Sequence, residues 1–358
     1  MSDLDLLYTE VEDDLRASLR DLLAARCDSS AVTAMYDGDR SVVDPLWKEL
    51  AANLGLAGLL VPEDQGGQGA SAREAAVVLE ELGRTVAPVP FLTSAVIATT
   101  ALLGSDAPLL AELAAGERTA ALALPWSTAP DGPLTAVAVE GGRLTGTVTS
   151  VAGAVEADVL LVLADGFLYA VAAADAKVTP VVSLDMSRQL ADVRVDGAVG
   201  TLVVEDGEPA VRRALDAGAA MLASEQLGVA RWCLETTVEY LKIRRQFGRV
   251  VGGFQALKHR LADLYTGVES SAAAARYAAA TLAENDPDAT IAAAVAQAYA
   301  SDLAVLAAEE AVQLHGGIGM TWEHPAHLYL KRAKSDQIAL GTAGAHRARL
   351  AGLVDLPA

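Results

Sequence analysis

Aromatic side chains are scarce: phenylalanine, tyrosine and tryptophan make up 4% of the 358 residues, although hydrophobic residues make up 52%. A core with so few rings must rest on Ala, Leu and Val, and alanine at this density favours helix. Cysteine is nearly missing. Cys27 and Cys233 fit neither a metal spacing nor a disulfide framework, which suits a reduced, cytoplasmic chain. Positive charge is also short, with 27 Lys and Arg against 47 Asp and Glu and a net charge of −20. Nucleic acid and anionic membranes need a basic surface, so neither is an expected partner. An anionic small molecule needs only a local positive patch. The start, MSDLDLLYTEVEDDLRASL, is acidic and lacks a basic n-region, so no targeting segment is expected there. Residues 85–105 carry no charge and are long enough to cross a bilayer. Pro88, Pro90 and the Ser and Thr residues within the run make it a buried helix entered through a proline turn instead.

The length fits two to three domains at ~150 residues each. Three zones differ in pattern. Residues 1–119 are mostly helical, with Leu15, Leu19, Leu22 and Leu23 at helical spacing. The loop VPEDQGGQGAS precedes a capping box, Ser71 with Glu74, that opens the next helix. Residues 120–207 hold short Val- and Thr-rich segments punctuated by Gly and Asp, the pattern of a small antiparallel β domain. Residues 208–358 return to long helices, broken at ENDPD and HGGIG, and read as a four-helix bundle. The expected class is α+β multidomain: helical, then β, then helical bundle.

Two stretches combine Gly, Arg, Gln and aromatics where a plain helix would not: YLKIRRQFGRVVGGFQALKHRLADLY and QLHGGIGMTWEHPAHLYLKRAKSDQIALGT. In the first, a helix is expected to end at Phe247-Gly248 and to resume near Phe254-Gln255. Arg244 and Arg245 then stand at a helix C-terminus with guanidinium groups free for phosphate. In the second, Gly316, Gly317 and Gly319 allow close backbone approach to a ligand. Taken singly, each also fits a solvated helix end or a plain turn.

Together, and in this domain order, they resemble the acyl-CoA dehydrogenase family, and LGLAGLLVPEDQGGQG resembles a stretch of its N-terminal domain. The resemblance implies FAD, α,β-dehydrogenation of an acyl-CoA thioester, and an electron-transfer flavoprotein as acceptor. It implies that Arg244 meets the pyrophosphate of a flavin held mainly by a neighbouring subunit. Phe247 and Gln255 then line the adenosine end of that flavin. Gln313, Gly316 and Gly317 match the backbone that approaches its diphosphate and adenine. Thr342 matches a flavin-touching threonine after the catalytic segment.

The chain departs from the family where the chemistry is run. The base position one residue before Gly-Thr is Leu340, which accepts no proton. The alternative base position is Gly218, between Ala217 and Ala219. Asp216 and Glu225 are the nearest acids, with Asp336 a further candidate. Glu225 is either an atypical base, a partner for an arginine, or a subunit contact. The segment ALALPWSTAPDG lacks the family's Gly-Ser-Asp, and Ser150-Val151-Ala152 lacks an aromatic and a hydroxyl that face flavin. The resemblance therefore implies a hetero-oligomer. A homologous catalytic subunit supplies base and ring pocket, as in bacterial heterotetramers acting on steroid-derived thioesters. Two other readings stay open: a self-sufficient homo-oligomeric flavin dehydrogenase using Glu225, and a non-catalytic binding protein on this fold. His315, His324, His327 and His346 lack the carboxylate or cysteine that would complete a metal site. Glu323 is expected to cap a helix, Lys331 and Arg332 to be interface or solvated charges, and Cys233 to fill core.

Overall fold

The computed structural model describes residues 4–356. Helix α1 (Glu10–Arg26) opens with a capping box of Thr9 and Glu12. Two short helices follow, α2 (Ser29–Ala34) and α3 (Val43–Lys48). Helix α4 (Ala72–Thr85) begins as expected, with the Ser71 hydroxyl accepting from the Arg73 N–H and the Glu74 carboxylate accepting from the Ser71 N–H. The uncharged 85–105 run is indeed buried, but it starts as a π-helix, Phe91–Ala98, before tightening into α5 (Thr99–Leu102). Its polar groups are satisfied locally. Thr99 donates to the Ser94 carbonyl at 3.0 Å, and the Ser94 hydroxyl accepts the Ala120 N–H at 3.0 Å. That second bond ties the helical domain to the first strand. Helix α6 (Leu109–Ala114) completes the domain.

Strand β1 (Ala120–Leu122) starts the β domain. One sheet runs β2 (Ala138–Glu140), β3 (Arg143–Ala152), β7 (Leu190–Ala198), β6 (Ala176–Val181), all antiparallel. The other runs β1, β4 (Val159–Ala164), β5 (Phe167–Ala172), β8 (Thr201–Val204). Here the expectation of an antiparallel domain needs correction, because β1 and β4 pair in parallel. All six residues of β4 are buried, and such a strand reads as a continuous apolar run rather than an alternating one.

Helix α7 (Gly207–Ile243) is the spine of the last domain, followed by α8 (Gln255–Ala283) and α9 (Ala289–His315). The fourth leg is two short helices, α10 (Ala326–Asp336) and α11 (Ala343–Leu353), instead of one long one. By length and composition the segment Ala289–Met320 is apolar enough to cross a membrane, yet 72% of its most apolar window is buried in the protein. Glycines set the crossing of α4 on α7. A Cβ at Gly83 would overlap the Glu225 carbonyl, and one at Gly228 would overlap the Glu80 carbonyl. The two backbones therefore touch, and the helical N-terminal domain cannot slide on the bundle without losing that contact.

Candidate functional site

The six motif residues at 244–255 and 313–317 gather at one end of the bundle. Helix α7 ends at Ile243, earlier than the sequence pattern suggests, and the Arg244 N–H bonds back to the Tyr240 carbonyl at 2.9 Å. A two-residue hairpin follows, with Phe247 (φ 52°) and Gly248 (φ 73°) at its tip between paired residues 245–246 and 249–250. Two left-handed residues are what such a tight hairpin requires. Phe247 is 88% exposed, with only the edge of Phe254 beside it at 6.2 Å between ring centres. Helix α9 stops at His315, and Gly316 takes φ 65°, ψ −140°, which is a glycine conformation. A Cβ at Gly316 or Gly317 would meet nothing within 4 Å, so both backbones face open space. His315 stacks on Tyr240 at 4.5 Å and lies 4.1 Å from His324, joining the two motifs. Burial and the neighbouring His315 and His327 push His324 down to about 4, so it is neutral at pH 7. Arg244, Gln255 and Gln313 are exposed, and their side chains make no hydrogen bond among the described residues. Ile318, Met320 and Trp322 extend this face with exposed apolar surface. An isolated chain thus presents unpaired donors, open glycine backbone and apolar side chains together.

Thr342 does not belong to this group. It caps α11 by accepting the Ala345 N–H at 3.3 Å, beside Leu340. Gly218, which packs against Leu340, lies about 39 Å along α7 from Arg244 at 1.5 Å per residue.

Leu340 and Gly218, the two positions at which the resemblance implies a base, meet in space. A Cβ at Gly218 would stand 3.0 Å from Leu340 Cδ1 and 2.9 Å from the Ile97 side chain. Leu340 is 2% exposed and its N–H donates to the Trp126 carbonyl at 2.8 Å. Trp126 in turn donates its backbone N–H to the Ser150 carbonyl at 2.9 Å. The three segments that depart from the family pattern therefore converge. Thr93, Ile97, Pro125, Trp126, Ala152 and Leu340 are among the residues that leave a cavity of only ≈ 20 Å³ between them. That volume is on the scale of one water. It is too small for a flavin ring or an acyl thioester unless these side chains move apart.

Glu225 is a partner for arginine. It is 1% exposed and accepts from Arg188 at 2.6 and 2.7 Å and from Arg332 at 2.6 Å. Burial raises its pKa, but the two guanidinium groups outweigh that and hold it below the usual carboxylate range. A carboxylate so held is a poor proton acceptor, which corrects its candidacy as a base. Asp216 is equally engaged, paired with both terminal nitrogens of Arg349.

Arg332 is the element that sequence reading misplaced. Instead of a surface charge it is 1% exposed, donating to Asp185 at 2.6 Å, Ser187 at 2.8 Å and Glu225. Arg188 joins the cluster through Asp336 at 2.6 Å, and its guanidinium lies 5.2 Å from the centre of the Trp126 ring. Lys331 is also not free, since its ammonium lies 4.0 Å from the Tyr36 ring centre and 3.8 Å from that of Trp322. Glu323 is exposed, and α10 begins at Ala326 with no side-chain cap. Cys233 does fill core. The one available signal for the cluster was the i, i+4 spacing of Arg332 and Asp336 on an otherwise apolar helix face.

The cluster holds three carboxylates and two guanidinium groups, and Asp336 Oδ2 has no partner. Burial, with Glu225 and Asp185 adding repulsion, outweighs the arginines and pushes Asp336 up to about 8 from an ordinary 3.8. The folded chain keeps this proton where the unfolded chain loses it. Stability from this group is full below pH 4 and is lost as pH rises to about 8. Asp336→Asn is expected to flatten that slope in urea melts taken from pH 5 to 9. An unchanged slope would mean that Asp336 is ionised in the fold.

Known proteins resemble this chain in sequence and in fold. An acyl-CoA dehydrogenase N-terminal domain model matches residues 9–117, and the corresponding C-terminal domain model matches residues 205–353. Acyl-CoA dehydrogenase IpdE2 of Mycobacterium tuberculosis is 38% identical over 325 residues, covering 89% of each chain. The crystal structure of the ChsE4–ChsE5 complex of the same species contains a chain with TM-score 0.88 and 30% identity, over 99% of this chain and 100% of that one. A chain of the Tcur3481–Tcur3483 steroid enzyme (its G363A variant) matches with TM-score 0.84 and 30% identity, over 97% of this chain and 98% of that one. On domain order, motifs, fold and sequence together, the chain belongs to the acyl-CoA dehydrogenase family.

Proposed function

We propose that this chain is the non-catalytic half of a heteromeric acyl-CoA dehydrogenase. One contrast carries the reading: the surface that would serve a partner's FAD is intact and unpaired, while the chain's own reaction pocket is filled. Bound FAD would accept hydride from the thioester β-carbon and pass electrons on to an electron-transfer flavoprotein. This chain's part is to bind and shield. Arg244 supplies a guanidinium fork for the pyrophosphate. Gly316 and Gly317 let backbone N–H groups approach it, and Phe247 and Gln255 cover the adenosine end. Thr342, beside Leu340, has no place in that contact. Two solved relatives, the ChsE4–ChsE5 and Tcur3481–Tcur3483 complexes, pair unlike subunits, and the second is described as a steroid enzyme. A steroid-derived acyl-CoA thioester is accordingly the substrate class. Two buried, free cysteines suit a reducing cytoplasm.

The test is to purify this chain alone and with a homologous subunit that carries Glu before Gly-Thr. Colour and turnover are expected only in the mixed complex, at one FAD per unlike pair. Arg244→Ala in that complex removes a charge-assisted bond of about 1.5–3 kcal/mol, which is roughly 10- to 150-fold in FAD affinity. A yellow, active lone chain would overturn the reading.

A further inference from the structure

At the end of the bundle away from the motif loops, a crevice of ≈ 450 Å³ opens between α7, the end of α5 and the turn joining α8 to α9. It lies on the face of α7 made by residues 213, 216, 217 and 220. At 100° per residue this face is opposite to that of Leu215 and Gly218, so the crevice is separate from the filled pocket. Its size falls within the range of about 300–1,000 Å³ typical of small-molecule sites. Seven of its sixteen lining residues are alanine, so the space exists because side chains are short. Leu60, Leu103 and Leu282 add larger apolar surface.

The lining is not uniformly apolar. Arg213 is a lining residue and exposed, and its guanidinium pairs with no group among the described residues. The other charged lining residue, Asp216, is already neutralised by Arg349 and leaves Arg213 unsatisfied. Thr100 and Thr290 bring hydroxyls whose side chains are also unbonded among the described residues. An apolar trough lined by a free guanidinium suits a ligand with an aliphatic body and a carboxylate head. The planar fork of arginine pairs with a carboxylate through two parallel hydrogen bonds.

We infer that this crevice is a binding site for a medium-chain fatty carboxylate, independent of the face offered to a partner subunit. The chain rests on the trough formed by Ala217, Ala220 and Ala293, and the carboxylate meets Arg213. Because the site lies at the far end of the bundle, it requires neither FAD nor a second subunit.

Calorimetric titration of the purified full chain with decanoate, and separately with decanol, tests this. One saturable decanoate site per chain is expected, with decanol at least ten-fold weaker. Arg213→Gln, a surface change that leaves the fold intact, is expected to weaken decanoate at least ten-fold and leave decanol unchanged. Ala283→Leu, which fills the trough, is expected to weaken both. Equal binding of decanoate and decanol, several weak sites per chain, or an Arg213→Gln variant that binds like the parent would each overturn the inference. None of these outcomes bears on whether the complex carries FAD.

Discussion

Replacing Arg332 with alanine is expected to destabilise the chain by about 3–5 kcal/mol, the usual cost of removing one partner from a buried ion pair. The reason is what remains behind. Asp185 and Glu225 would lose the guanidinium that bridges them, at positions with 1% exposure each. Asp185 sits in the loop between β6 and β7, Glu225 on α7 and Arg332 on α10, so one side chain joins the β domain to two helices of the bundle. Arg332→Lys keeps a charge but loses the fork that reaches three partners at once, and an intermediate loss is expected. Urea unfolding followed by tryptophan fluorescence measures both. A loss under about 1 kcal/mol for alanine would mean that water or rearranged partners replace the bridge.

Leu340→Glu places a carboxylate where the resemblance implies a base, and the expected result is loss of stability without gain of activity. The new side chain would enter a space of ≈ 20 Å³ lined by Ile97, Trp126 and other apolar groups. Burying a carboxylate with no partner costs several kcal/mol, and its proton would be retained at neutral pH. Leu340→Met, which conserves volume, is expected to cost less than about 1.5 kcal/mol. Thermal melts compare the two. Flavin-dependent oxidation of an acyl-CoA by the isolated Leu340→Glu chain would show that only the base was missing and that the pocket opens.

Both expectations concern residues that the sequence treats very differently. Leu340 was legible because the Gly341-Thr342 pair fixes its position in a motif. Its partner in space, Gly218, was reached by counting along a helix. That Ile97 completes the plug was not legible, since it comes from a π-helix whose pitch no 3.6-residue pattern anticipates. Arg332 was misread for a related reason. On one helix its neighbours by spacing are Leu328 and Asp336, while its hydrogen-bond partners Asp185 and Glu225 lie on other elements. The early end of α7 at Ile243 was missed because the hairpin at Phe247-Gly248 depends on backbone angles that β-propensity does not report.

Local features were determined by the sequence itself. The Ser71–Glu74 capping box, the long alanine-rich helices and the order of helical, β and helical zones follow from short-range spacing and propensity. The motif residues at 244–255 and 313–317 were also recognisable, because glycine, arginine and glutamine at those intervals are unusual in a packed helix. What only the tertiary structure decided is which charges are buried and which spaces are filled. Charge burial depends on partners far away in the chain, such as Asp185 for Arg332 and Arg188 for Asp336. Cavity volume depends on the segments around Ile97, Trp126, Ala152, Leu215 and Leu340 meeting. Neither quantity is a property of any one stretch, so no reading along the chain contains it.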